Sequence, residues 1–598
     1  MAKLVGSVQA TFCAALVDEW WRCGVRHAVI CPGSRSTPMA LALAADGRLR
    51  LQVRLDERSA AFVALGIGLE SGRPAVLCTT SGTAAAEVHA AVVEAHQARV
   101  PLIVVTADRP PELHGVGAPQ TIDQRGLFAG ALRYECDPGV PTIELVRTWR
   151  SLGARLAAEA VAGPSGPGPV HLNLPLRDPL DGEPGALPAG RPNGRPWHEV
   201  HPGRHVLEPA GAGRLAELVR AARRPLLIAG ARSGRPGHLS RAAASLGWPL
   251  LADPRSGARS LGGNGDPVVV AAADAILRHR PSAERLCPDL VVVLGEASAS
   301  KVVGGWLDGA AGAGATTVLV DPFGEWRDPG RKADLVLRAG PDEVLDALCA
   351  CAPNGAPAGW LDAWRRAEAV AQSALGAAFE ELRASGELTE PAIARGVARH
   401  PGVGTVVVAS SMPIRDLEWF SEPRAGYPAV VANRGANGID GVVSTACGVA
   451  ASVAGAGREA AVVGLVGDLA FLHDLSALVE LGAPAARPLG LVVVDNGGGG
   501  IFSYLPQATS VDRDRFELLF GTPPASSVAD LAGGAGWEVT EARDAEGLER
   551  GLDHLAGQLA GDRAAALVCH TDRQRSVEVH EALHAAVAAA LDGELRAP

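Results

Sequence analysis

The stretch AVVGLVGDLAFLHDLSALVELGAPAARPLGLVVVDNGGGGIF, residues 461–502, decides how this chain is read. An apolar run ends in Gly467-Asp468, a helix-like segment follows, and a second apolar run ends in Asp495-Asn496-Gly497-Gly498. That is strand, turn, helix, strand, turn, with a hard oxygen ligand at the end of each strand. Mg²⁺ takes an octahedron of oxygens, usually one or two from protein and the rest from phosphates and water. Asp468 offers a carboxylate, Asn496 an amide oxygen 28 positions later, and Gly498 a backbone carbonyl. Glycines beside both ligands let phosphates approach the backbone, and the helix after Asp468 turns its positive end towards them. Either turn alone is an ordinary α/β connection. Together, at this separation, they predict a divalent cation holding a diphosphate against a parallel sheet.

The same alternation runs outward along the chain. Apolar runs at 27–34, 74–81, 101–108, 168–175, 225–231, 289–296, 317–322, 405–411, 429–435 and 565–572 are separated by helix-length amphipathic segments. This predicts parallel sheets covered by helices on both faces. A Pro- and Gly-rich stretch over 176–205 and a shorter one, CAPNGAPAGW (351–360), interrupt the pattern. The expected organisation is three consecutive α/β domains, 1–185, 206–350 and 361–598, joined by linkers at 186–205 and 351–360.

Composition narrows the function classes. The chain has 598 residues, 47% of them hydrophobic, and a net charge of −11, which argues against a nucleic-acid binder because phosphate neutralisation needs a basic face. The ten cysteines are scattered, and Cys349 and Cys351 have the wrong spacing for a zinc site or a redox pair, so reduced thiols in a cytoplasmic protein are expected. VGSVQATFCAALVDEWWRCGV (5–25) carries Asp18 and Glu19 and reads as an amphipathic helix rather than a signal peptide. No apolar run is long enough to span a membrane.

The opening stretch resembles the thiamine-diphosphate motif, which begins Gly-Asp-Gly and ends Asn-Asn; here Leu469 and Asp495 depart from it. In that superfamily a glutamate activates the cofactor's pyrimidine ring, and LDERSAAFVALG (55–66) supplies Glu57 at the start of an apolar-periodic helix. Thr80, Ser81 and Gly82, after the next strand, resemble the pyrimidine-side turn. CPGSRSTPMALA (31–42), TADRPPEL (106–113), GAPQTIDQRGLF (117–128), SSMPIRDLEWF (410–420), ANRGANGIDG (432–441) and DNGGGGIFSYLPQ (495–507) are similar to the 2-succinyl-5-enolpyruvyl-6-hydroxy-3-cyclohexene-1-carboxylate synthases of menaquinone biosynthesis. Leu469 fits that family. The likeness is strong in the first and last blocks and thin in the middle one, chiefly LGEASASK (294–301).

The resemblance implies a transferase that uses thiamine diphosphate with Mg²⁺ or Mn²⁺. It decarboxylates 2-oxoglutarate and adds the succinyl carbanion equivalent to isochorismate. Asp468, Asn496 and Gly498 are then the metal ligands. Gly467, Leu469, Thr80, Ser81, Gly82, Gln120, Ser411, Met412 and the apolar wedge Ile439 contact the cofactor. Both substrates are dicarboxylates, which Arg pairs bidentately. Motif by motif, Ser34, Arg35, Arg109, Gln120, Lys301, Ser411, Arg415 and Arg434 are implied to bind substrate, beside an apolar wall of Ile501, Phe502 and Leu505. His89, His96, His114 and His473 rank below these as acid/base groups. The family also implies a homodimer or homotetramer whose active sites lie between subunits. An acetolactate synthase or another 2-oxo-acid decarboxylase is the nearest rival; it would need fewer cations. A non-catalytic thiamine-fold protein is the rival of another class, and the intact Glu57, Asp468 and Asn496 argue against it. Arg255 and Arg259 in the middle block hint faintly at an anionic effector.

Overall fold

A computed structural model describes residues 2–262, 269–296, 298–352, 356–458, 460–479 and 489–596. Three six-stranded sheets are built in chain order, and all their strand pairs are parallel. The apolar runs become central strands, except that the run at 429–435 gives the edge strand Ala429–Val431. Ala75–Thr79, Leu102–Asp108, Leu290–Leu294 and Gly490–Asp495 bury nearly every side chain, as strands covered on both faces must.

Counting strands within each sheet in chain order, the first sheet runs 2-1-3-4-6-5 and so does the third. The middle sheet runs 6-5-4-1-2-3, the order of dinucleotide-binding folds. In the middle sheet Arg255 is held by Asp253 at 3.0 Å and by Glu296 at 2.7 Å. Arg259, 1% exposed, donates to Ala252 O at 2.8 Å, Glu418 O at 2.8 Å and Ser421 O at 3.0 Å. It ties the central sheet to the helix Met412–Phe420.

The first and third sheets share one hydrophobic core. Its centre is the contact between the helices Glu57–Ser71 and Val442–Gly455, where Phe62, Val63 and Ile67 meet Val442, Ala446 and Val449. Two glycines permit that approach. A Cβ at Gly66 would lie 2.1 Å from Thr445 O, and one at Gly448 would lie 2.0 Å from Val63 O. Ser59 Oγ meets Ser444 Oγ at 2.8 Å, and Ser444 donates its backbone N–H and hydroxyl to buried Asp474 at 2.6 and 2.8 Å.

Between Pro175 and Pro209 the chain forms only the short 3₁₀ turn Pro192–Gly194. It is nonetheless tied to the first sheet's helices, with Arg150 Nε donating to Pro188 O at 2.9 Å. Of the second expected linker, residues 353–355 lie outside the described residues, as do residues 480–488 of the opening stretch. No described helix is long and apolar enough to cross a membrane.

Candidate active site

The strand Val462–Gly467 ends at the loop that its sequence announced, and Asp468 opens the helix Asp468–His473. The neighbouring strand Gly490–Asp495 delivers Asn496 beside it. Asp468 is 2% exposed; its Oδ1 accepts from Leu469 N and its Oδ2 from Gly498 N, each at 2.7 Å. Gly498 has φ +123, and a Cβ there would lie 1.9 Å from Gly521 O, so only glycine fits. Its carbonyl accepts from Gly500 N at 2.8 Å and keeps a second lone pair. Burial pushes the Asp468 carboxyl up to about 6.

Asn496 Nδ2 donates to Glu390 Oε1 at 2.9 Å, while Asn496 Oδ1 is buried with no hydrogen-bond partner. A carboxylate, an unpartnered amide oxygen and a carbonyl make a hard-oxygen set suited to a small divalent cation. Among the described residues no group of three or more His, Cys, Asp or Glu could hold a metal. A set with one carboxylate stays below that count.

A cavity of about 580 Å³ opens at this point. Ser411, Met412, Arg415, Arg434, Ile439 and Gly467 line it, and so do Asp468, Leu469, Asn496, Gly498, Ile501, Phe502 and Leu505. Every third-block residue assigned to cofactor, metal or substrate from the sequence therefore lines one cavity, while His473 does not. Arg415 comes from the helix Met412–Phe420 and Arg434 from the loop after the strand Ala429–Val431, and their charges are crowded: burial and neighbouring cations, Arg255 and Arg415 among them, lower the Arg434 pKa. Ser411 sits at φ +75 and ψ −135, a strained backbone for a residue with a side chain. Arg415 donates to its carbonyl. Ile439 is 38% exposed on the cavity wall, a large apolar side chain left uncovered by the fold.

The first-block residues form a second cluster. Arg109 donates to Ser81 Oγ, and Gln120 Nε2 donates to Ser81 O at 3.2 Å. Gly82, at φ +79, lies against Gln120, where an added Cβ would be 3.1 Å away. Arg35 is buried and reaches Leu176 O at 2.9 Å and Asp178 at 3.1 Å, close enough to Arg109 to lower its pKa, after burial. Ser34 is exposed beside it, and Gly33 packs on Thr80. Glu57 is the first residue of its helix, half-buried, with Asp56 as N-cap accepting from Ser59 N. Burial, then Asp56 and Glu87, raise the Glu57 carboxyl. None of these first-block residues, Glu57 included, lines the 580 Å³ cavity of the same chain. Lys301 is exposed at the start of the helix Lys301–Gly312 and does not line it either. The loop before it is pinned to the third block by Glu418, which accepts from Ala299 N at 3.1 Å.

Sequence reading missed several residues. Glu390, Ser410 and Asn437 line the cavity. Glu94, 3% exposed on the helix His89–Ala98, accepts from Gly435 N at 2.7 Å and Ala436 N at 2.6 Å and so holds the loop that carries Arg434 and Ile439. Gln124 is fully buried and accepts from Gly82 N at 3.0 Å. The signal for Gln124 was present, since GAPQTIDQRGLF contains it; for Glu94 and Glu390 only the tertiary fold supplies one.

Residues 10–127 match the model of the thiamine pyrophosphate enzyme N-terminal TPP-binding domain. The fold is similar to benzoylformate decarboxylase from Polynucleobacter necessarius, with a TM-score of 0.68 at 17% identity, covering 94% of this chain and 98% of that one. The 2-succinyl-5-enolpyruvyl-6-hydroxy-3-cyclohexene-1-carboxylate synthase of Myxococcus xanthus is 40% identical over 96% of this chain and 97% of its own length. The synthase of the same name from Thermobifida fusca is 42% identical, over 96% of this chain and 98% of its own. With identities of 40% and 42% over 96% of its length, the chain belongs to the 2-succinyl-5-enolpyruvyl-6-hydroxy-3-cyclohexene-1-carboxylate synthase family.

Proposed function

We propose that the protein joins 2-oxoglutarate to isochorismate with loss of CO₂, using thiamine diphosphate and Mg²⁺ or Mn²⁺. The observation that carries this reading is the single cavity where Asp468 and Asn496 face Arg415 and Arg434. In this reading the Asp468 and Asn496 end takes the cation and diphosphate, and the Arg415 and Arg434 end takes substrate carboxylates.

When bound, thiamine diphosphate supplies the electron sink that lets a 2-oxo acid lose CO₂. The chain's own residues do the rest. Asp468, Asn496 Oδ1 and the Gly498 carbonyl hold the divalent cation, and a cation there keeps the Asp468 carboxyl ionised despite its burial. Gly467, Leu469, Ser411, Met412 and Ile439 pack the cofactor. Thr80, Ser81, Gly82 and Gln120 form its pyrimidine side. Glu57, whose carboxyl pKa is raised by burial, exchanges a proton with a ring nitrogen of the cofactor. Arg415 and Arg434, with Ser34, Arg35, Arg109 and Lys301, orient the substrate carboxylates. Ile501, Phe502 and Leu505 exclude water from the reacting carbon.

A second subunit completes the site in this reading. Glu57 and the Ser81 cluster lie outside the cavity of their own chain, so the first block of one protomer serves the third block of its partner. The active unit is then a homodimer at least, and the homotetramer of the family is two such pairs. We take the three domains as 1–185, 206–350 and 361–598.

Glu57→Gln tests the assignment. It should lower CO₂ release from 2-oxoglutarate by roughly 10² to 10⁴, the range for loss of a positioned acid–base group. Turnover within about threefold of the unmodified enzyme would refute the role.

A further inference from the structure

A cleft of about 820 Å³ lies between the first and third blocks, at the carboxyl ends of the two packed helices. Arg26, Arg48, Arg50, Arg73 and Arg458 line it, and among the described lining residues Glu70 is the one carboxylate. This concentration of positive charge stands out in a chain of net charge −11.

Two of the five arginines are neutralised. Arg48 pairs with Asp18 at 2.9 Å and Asp46 at 2.5 Å, and Arg458 pairs with Glu70. The other three are held by carbonyls. Arg26 donates to Trp21 O and Val25 O at 2.8 Å, Arg50 to Gly455 O at 2.6 Å, and Arg73 to Gly24 O at 3.5 Å. Among the described residues none of these three has a carboxylate within ion-pair distance. The carbonyls fix the guanidinium heads without cancelling their charge. Burial, then Arg73 and Arg48, lower the Arg26 pKa, a sign of like charges crowded together. His27, 7% exposed, also lines the cleft, and its Nδ1 has no hydrogen-bond partner.

The ordinary explanation is that cations gather at helix carboxyl ends to offset the dipole. Two helix ends amount to roughly one negative charge. Three uncompensated guanidinium groups exceed that, leaving roughly two positive charges in a recess whose walls focus the field. Arginine matches phosphate and carboxylate oxygens bidentately.

We propose that this cleft binds a small multivalent oxyanion, phosphate- or carboxylate-bearing, which bridges Arg50 and Arg73 of the first block to residues 452–458 of the third. It is a separate site from the catalytic cavity. The 15-residue helix that begins at Glu57 ends at this cleft, about 20 Å further on.

The test is calorimetric titration of the enzyme loaded with thiamine diphosphate and Mg²⁺, at low ionic strength. Inorganic phosphate is one probe and tricarballylate, a tricarboxylate, the other; the tighter of the two identifies the oxyanion source. One saturable site per chain is expected. Arg50→Gln/Arg73→Gln should weaken it at least tenfold, remove the ligand-induced rise in melting temperature and leave CO₂ release unchanged. Should the double variant melt early, Arg26→Gln, whose side chain touches only its own block, is read in its place. No saturable binding of either probe, or equal affinity in the unmodified enzyme and the variants, would overturn the proposal.

Discussion

Asn496 shows how one side chain's orientation can decide a site. Its Nδ2 is taken by Glu390, 106 positions earlier, so its Oδ1 is the atom left for a cation. Residues that orient metal ligands commonly matter tenfold to a hundredfold in metal affinity. Glu390→Gln offers an amide that can turn either way and should weaken Mg²⁺ by about that factor, read as a Mg²⁺ titration of cofactor binding. An unchanged titration would remove Glu390 from the site. Asp468 and Asn496 were legible in the sequence because each ends an apolar run. Glu390 was not, because Thr389-Glu390-Pro391 reads only as a helix start; Thr389 caps it, accepting from Ala392 N.

At the scale of elements, the runs that became central strands were the legible ones. Edge strands such as Arg50–Val53, Tyr134–Cys136, Ala333–Leu337 and Glu538–Ala542 escaped, since they are short, half-exposed and mixed in polarity. That is what an edge must be to resist further pairing. The carboxyl-terminal helix Arg573–Arg596 carries another consequence invisible in its periodicity. His584 packs on Phe420 with ring centroids 5.4 Å apart, and the Asp274 carboxylate at 4.0 Å is beyond hydrogen-bond reach. Burial, then Arg278, holds its pKa down to about 3. A folded-state pKa below the unfolded value of about 6.5 gives stability that is present above 6.5 and lost as pH falls towards 3. His584→Gln should therefore lose less stability than the unmodified chain between pH 7 and 5. The gap between the two, measured by urea unfolding, should shift by about 1–2 kcal/mol in the variant's favour. A pH-independent gap would contradict the assignment.

For the whole molecule, the likeness of the first and third sheets is the organising fact. Both run 2-1-3-4-6-5, and their equivalent helices pack on each other through Gly66 and Gly448. No sequence repeat revealed this, because parallel sheets fix only the positions of apolar runs and leave identities free. The arrangement gives each chain two half-sites, and our reading places their partners on a second protomer. Mixing Glu57→Gln with Asp468→Ala tests it. Each variant alone is expected to be inactive, and random reassortment of dimers should restore about a quarter of full activity, from one intact site in half of the molecules. No recovery after verified subunit exchange would place both half-sites in one chain.

The central claim is that one cavity couples decarboxylation of 2-oxoglutarate to isochorismate. It is tested most directly by measuring CO₂ release from 2-oxoglutarate, with thiamine diphosphate and Mg²⁺ present, with and without isochorismate. Isochorismate should accelerate release at least tenfold, with one molecule of it consumed per CO₂. Release that ignores isochorismate, or that occurs with pyruvate and not with 2-oxoglutarate, would contradict the account.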